Sequence, residues 1–270
     1  MTPAPPPFSW TSGALHGDVL LGVALLAAGY ASAWWAHGAP VSRRAVGAFA
    51  AALVLLAGAL NGPLHDLADS YLFAAHMVQH LVLTLGVAPL LLAGMPGWML
   101  DGLIGGAGRW PGVAALVRAV TRPLPAFALY GATLVVWHLP VPYGAVLVSH
   151  PLHIVQHLTL LGTGVIGWWP VLSPSRLAPP LPYAAQILYL FVFGIPMTVA
   201  AAMIAGAERV LYPFYASAPR LFDLDPLADQ RLGGVVMWVP AGLIPLVAFT
   251  IVFFRWAAAE AEEPERVDSL

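Results

Sequence analysis

The chain has 270 residues, of which 60% are hydrophobic and only 9% charged, and it carries a net charge of −2. A soluble domain carries about 25% charged residues, so this chain has too little polar surface for a water-facing globule, and its solvent is lipid. The small negative charge gives no sign of nucleic-acid binding, and the absence of cysteine excludes disulfides, thiolate zinc sites and a thiolate copper shuttle.

A helix crossing a hydrocarbon core of roughly 30 Å needs about 20 mostly apolar residues. The sequence predicts seven such helices in a single all-α integral-membrane domain, 1–270. The Pro-rich lead-in 1–13 lacks the basic start of a signal peptide, so helix one, 14–36, is expected to stay in the mature protein. Arg43 and Arg44 precede helix two, 45–61, and His65, Asp66 and Asp69 are expected in the loop after it. Helix three, 71–93, carries "HMVQHL" at 76–81. Residues 96–122 mix apolar side chains, glycines and Arg109, Arg118 and Arg122, a pattern for one or two amphipathic helices lying in the interface. Helix four, 123–139, ends at "WHLP", where Pro140 and Pro142 disfavour further helix and leave His138 near the end.

His150 and Pro151 lead into helix five, 152–172, with proline in the favoured first turn. That helix carries "HIVQHL" at 153–158, a near copy of the earlier motif. Helix six, 183–206, has Met203 near its end. The loop 207–232 places Tyr212 and Tyr215 in an aromatic belt and Asp229 as the cap of helix seven, 233–257. Helix seven carries Met237, and its Gly233 and Gly234 permit close helix approach. Pro89, Pro196, Pro240 and Pro245 are expected to kink their helices. The acidic tail 257–270 reads as a solvated end.

Arginines favour the cytoplasmic side of short loops. Arg43, Arg44, Arg109, Arg118, Arg122, Arg176, Arg255 and Arg266 fall on one side, against Arg209, Arg220 and Arg231 on the other, where Glu208, Asp223, Asp225 and Asp229 dilute them. The N-terminus is therefore expected outside and the C-terminus inside.

Helices three and five run in the same direction, so the two H-x-x-x-H motifs lie at similar depth. Residues four apart share a helix face, which puts His76 above His80 and His153 above His157. Ionisable groups within a bilayer mark a pathway or site, although such histidines also serve as plain helix–helix hydrogen bonds. Imidazole suits zinc, copper, iron and nickel, and the scarcity of acids argues against calcium or magnesium. Met77 and Ile154 stand where an H-E-x-x-H zinc peptidase has glutamate. The residue pattern makes His76, His80, His153 and His157 the metal ligands, with His138, His150, Met237 and Asp229 as additional candidates. Gln79 and Gln156 are expected to hydrogen-bond the ligands and fix their tautomers. The residues by themselves leave copper, zinc and haem open.

The segments "HMVQHLVLTLGVAPLLLAGMP", "WHLP", "HPLHIVQHLTLLGTGVIGWWPVL", "LYPFY" and "DQRLGGVVMWVP", spread over 60–256, resemble the CtaG-like assembly factors of bacterial haem-copper cytochrome c oxidases. The resemblance implies a multi-pass inner-membrane protein, not an enzyme, that works with oxidase subunits during their maturation. In such oxidases the histidine-held copper lies toward the outer face, where an outer-leaflet histidine cluster could pass copper sideways, so the resemblance makes copper the expected metal, with zinc or haem as alternatives. Two other classes stand beside this reading: a haem- or di-metal-binding membrane redox enzyme, and a transporter or proton channel. The dry inner halves of the helices disfavour the last.

Overall fold

The computed structural model describes residues 8–11, 13–106 and 111–267, and every regular element among them is helical. Arg109, most of the Pro-rich lead-in and the last three residues of the acidic tail lie outside the described residues. The chain opens with α1 Gly17–His37, α2 Arg43–Ala59 and α3 Gly62–Ser70. Next, α4 Phe73–Leu81 continues through a π-helical stretch, Val82–Val87, into α5 Ala88–Gly94. Two short helices, α6 Gly97–Gly106 and α7 Pro111–Val120, precede α8 Pro123–His138 and α9 Pro140–Leu147. The second half comprises α10 His150–Leu172, α11 Tyr183–Phe193, α12 Ile195–Ala205, α13 Pro213–Ser217 and the long α14 Pro226–Val267.

Local chemistry sets many of these boundaries. Proline occupies the first turn of α3, α8, α9, α10 and α12, where its missing N–H has no intrahelical partner to lose. The Ser42 hydroxyl accepts from the Ala45 N–H and caps α2, while Gly38, at φ 66°, closes α1 in the left-handed conformation. The π stretch has its own cause. The Thr84 hydroxyl donates to the His80 carbonyl at 2.7 Å and the Trp168 indole N–H donates to the Thr84 carbonyl at 3.0 Å, so side-chain donors intrude on the helical ladder.

Phe73, Met77, Leu134, Tyr143, Trp168, Phe193 and Met237 belong to the main apolar core, and Tyr30, Phe49, Leu56, Leu83 and Val87 form a second cluster joining α1 and α2 to the π stretch. The expected close approach at Gly233 and Gly234 is present: a Cβ would lie 2.3 Å from the Phe73 ring at the first and 2.6 Å from the Ala205 nitrogen at the second. Hence α14 packs backbone-close on α4 and α12.

All seven predicted segments fall on helix, but length and composition establish fewer spans. Four stretches are long and apolar enough to cross a membrane: Gly17–His37, Phe73–Gly94, Tyr183–Ala205 and Pro226–Glu262. The number rises to six if α2 with α3, bent by 46°, and Gly112–Val120 with α8, bent by 79°, each count as one. The 23-residue α10 has the length but is absent from that set, because its polar residues, His153, Gln156 and His157 among them, lower its mean hydropathy.

Several local expectations are corrected. His65, Asp66 and Asp69 lie on α3, a helix started by Pro63, and not in a loop. Pro140 and Pro142 do not end regular structure: after the extended Leu139 they open α9, again because the first turn tolerates proline. The helix α14, which contains Pro240 and Pro245, runs without a break from Pro226 to Val267. That helix starts earlier than expected, so Asp225 accepts from the Leu227 and Ala228 N–H groups at its start, at 3.0 and 3.1 Å, in place of Asp229. Tyr212 and Tyr215 are each 2% exposed and so form part of the interior, not an aromatic belt.

Candidate metal centre

The histidine motifs begin at helix N-termini, and the start of α4 is fixed from elsewhere in the chain. Its N-cap, Leu72, has no side-chain acceptor to offer. The Asp229 carboxylate, fully buried on α14, accepts from the Phe73 N–H at 2.8 Å and the Ala74 N–H at 3.1 Å. Both oxygens are thereby engaged on free helix N–H groups, a charge-assisted cap supplied in trans. Asp229 is thus a cap, but of α4.

The four motif histidines are buried, with exposures of 0% for His76, 2% for His80, 6% for His153 and 9% for His157. Hydrogen-bond partners assign the tautomers. The Tyr215 hydroxyl donates to the Ala68 carbonyl at 2.7 Å, so it accepts from His76 Nδ1, 3.1 Å away. His138 Nδ1 donates to the Leu134 carbonyl at 2.7 Å, which leaves its Nε2 to accept from His80 Nδ1 at 3.3 Å. His153 Nδ1 faces the Asp69 carboxylate at 3.3 Å. For His76, His80 and His153 the proton therefore sits on Nδ1 and the bare lone pair on Nε2.

Those Nε2 atoms have no partner among the described residues. The Nε2 atoms of His76, His80, His153 and His157 are all buried and unbonded. An unmet buried polar atom costs about 1–3 kcal/mol, and several together call for an explanation in a ligand. His76, His153 and His157 each present a ring nitrogen, all within 4.8 Å of one another. Copper or zinc binds imidazole at about 2 Å, so these three would draw together by about 1 Å to share an ion. The rings are otherwise placed for it, with centroids 5.2 Å apart for His76 and His153, 5.9 Å for His76 and His157, and 4.3 Å for His153 and His157. His80 stands beside the three, 4.6 Å from His76 and 5.6 Å from His157 between centroids.

The remaining candidates divide. His138 orients His80 through the nitrogen a metal would need. His150 has a 60% exposed side chain, 3.7 Å from Asp18, and lies at the rim of a cavity beside the cluster. Met237 is buried in the main core. The Gln79 amide donates to the Ala59 carbonyl at 2.7 Å and to His65 Nδ1 at 3.1 Å, so it orients His65 and not its own motif's histidines. Gln156 lies beside His76 with both amide atoms buried and without a close hydrogen bond. Sequence reasoning missed Tyr215 and Asp69 as orienting groups. Asp69 carried a signal, as a carboxylate just before the first motif, whereas Tyr215 carried none.

Taken together, the helices, the spans and the buried imidazoles define an integral-membrane helical protein built around a histidine centre. Residues 6–259 match the family model described as cytochrome c oxidase caa3 assembly factor (Caa3_CtaG), and the chain belongs to that family. It is also similar to an uncharacterized protein of Mycobacterium leprae (strain TN), ML1998, 25% identical over 220 residues that make up 74% of this chain and 32% of the relative. An uncharacterized protein of Mycobacterium bovis, Mb0105, is 24% identical over 217 residues with the same coverage. The chain therefore spans about a third of the length of these curated relatives. No solved structure matches it.

Proposed function

We propose that the protein serves oxidase assembly by holding copper as cargo on Nε2 of His76, His153 and His157, with His80 as the neighbouring ligand for exchange. The observation that carries this reading is that the buried His76, His153 and His157 bring ring nitrogens within 4.8 Å of one another and each keep an unpartnered Nε2, in a family of oxidase assembly factors. Neutral imidazole is the ligand form, and a neutral donor set can release Cu(I) by exchange with another set of histidines. The recipient is a haem-copper oxidase subunit in the same bilayer. The arginine distribution supports an orientation with the N-terminus and the histidine end outside and the C-terminus in the cytoplasm, and α10 then completes a seven-span bundle.

Protein purified without added metal and analysed for elemental content should carry copper, and the His76→Ala/His157→Ala variant should not. The variant should still insert, because removing polar groups from spanning helices favours insertion. Oxidase in the host membrane should keep its haem and lose copper. Normal accumulation of the variant alongside a fully metallated oxidase would overturn the assignment. An absorption spectrum of the same preparation tests the haem or di-metal enzyme alternative directly.

A further inference from the structure

Two cavities meet at the histidine end and share a wall. The larger, about 440 Å³, is lined by Ser9, Ala14, His16, His65, Asp66 and Asp69, among others. The second, about 240 Å³, runs between α1 and α10 past His153 and His157. His16 and His65 line both.

The segment before α1 holds this wall in place. The Ala14 N–H donates to both Asp66 carboxylate oxygens, at 3.2 and 3.3 Å, and the His16 N–H donates to Asn61 Oδ1 at 2.7 Å. The Gly62 N–H in turn donates to the Ala14 carbonyl at 2.9 Å. His16 consequently lies edge-on to His65, with centroids 4.2 Å apart, and His65 stacks over His153 at 5.9 Å. The two rings are not equivalent donors. His65 Nδ1 accepts from Gln79, which puts the His65 proton on Nε2 and takes that ring out of service as a ligand. His16 Nε2, by contrast, is buried and without a partner among the described residues. On the far side of the wall, the 94%-buried His153 also offers an unbonded Nε2, while its Nδ1 rests on an Asp69 carboxylate that is 40% exposed on the larger cavity.

A cation leaving water for a buried imidazole cluster loses its hydration shell, and groups along the way must replace it. Asp66 and Asp69 give the larger cavity the sign that concentrates cations. His16 supplies the one bare imidazole nitrogen on the shared wall. Among the described residues, only His76, His153 and His157 stand close enough to hold an ion, so the part open to His16 is in the rate of filling and not in the final occupancy. We propose that the larger cavity is the loading vestibule of the histidine centre, and that His16 is a transient ligand passing Cu(I) from the Asp66–Asp69 side to His153. This inference rests on the reading of the centre as a copper holder.

The test supplies Cu(I) as the complex of a chromophoric chelator to purified full-length protein and follows the loss of chelator colour, with elemental analysis at the end point. His16→Ala should fill to the wild-type stoichiometry at a rate roughly tenfold lower, the low end of what losing a supporting group costs a metal site. His16→Gln, which keeps a polar side chain without an imidazole, should behave alike. His157→Ala should instead lose stoichiometry. Wild-type filling rates in His16→Ala, recovery of the rate by glutamine, or a stoichiometry loss equal to that of His157→Ala would each overturn the transient-ligand role. A wild-type protein that takes up no copper would overturn the copper reading itself, a result distinguishable from all of these.

Discussion

On α4, His76 leans on a tyrosine hydroxyl and His80 on a second imidazole, and Gln79 turns away toward Ala59 and His65. On α10, His153 leans on a carboxylate, and Gln156 makes no close hydrogen bond. The start of α4 is capped by Asp229 from another helix, whereas the N-cap of α10, Ser149, makes no side-chain cap bond. The repeated six residues therefore fix only the spacing of the imidazoles. What each imidazole can do is set by α3, α8 and α13, which supply Asp69, His138 and Tyr215. A carboxylate behind His153 makes it a more basic donor than a phenol makes His76.

The comparison can be broken most severely at the ligands. His76→Ala and His157→Ala should each weaken copper affinity by roughly a hundredfold or more, measured by chelator competition, and His80→Ala by less, since His80 stands beside the three and not among them. An equal loss at His80 would make the centre a symmetric four-histidine site. Next in size is the cap. Asp229→Ala leaves two buried N–H groups of α4 unmet and should destabilise the protein by about 1–3 kcal/mol in detergent unfolding, while Ser149→Ala should stay within about 0.5 kcal/mol.

Exchanging the orienting groups sharpens the contrast further. Tyr215→Phe and Asp69→Asn should each reduce copper affinity by about tenfold without abolishing binding, with the larger effect at Asp69, where a charge is lost. The smallest effect lies at the opposite end of the molecule. There the Ser175 hydroxyl and the Arg176 and Leu177 N–H groups bond Asp101 and hold its carboxyl below the ordinary carboxylate value. Because the folded value is the lower one, this contribution is complete above about pH 4, where the unfolded carboxylate is ionised, and fades as pH falls through the folded value. Asp101→Asn should flatten the acid side of a thermal-stability profile slightly and leave the copper measurements unchanged.

The apolar runs and the spacing of His76, His80, His153 and His157 made the helices and the shared face legible in the sequence, because both depend on residues within a turn or two of one another. Partners brought in by tertiary packing were not legible. Tyr215 reaches His76 across 139 positions, and its neighbours suggest an interfacial aromatic. Asp229 stands where a cap for its own helix is expected, and only the close approach allowed by Gly233 carries it to α4. Histidines also blurred the reading of spans: the residues that mark the site on α10 are among those that make it less apolar.

The π stretch between α4 and α5 has a mechanical consequence. A helix that spends one extra residue within Val82–Val87 is wound in two phases, and each extra residue turns everything beyond it by about 100° relative to an uninterrupted α-helix. The histidine-bearing half and the half that packs Gly94 against Phe49 are thus aimed independently along one rod. Deleting the one extra residue would restore plain α-helix with both halves aimed as they are, whereas winding the full-length stretch as α-helix would keep either the imidazoles or the α2 contact in place, not both. The Trp168 indole, which donates to the Thr84 carbonyl within the stretch, ties the point of phase change to α10.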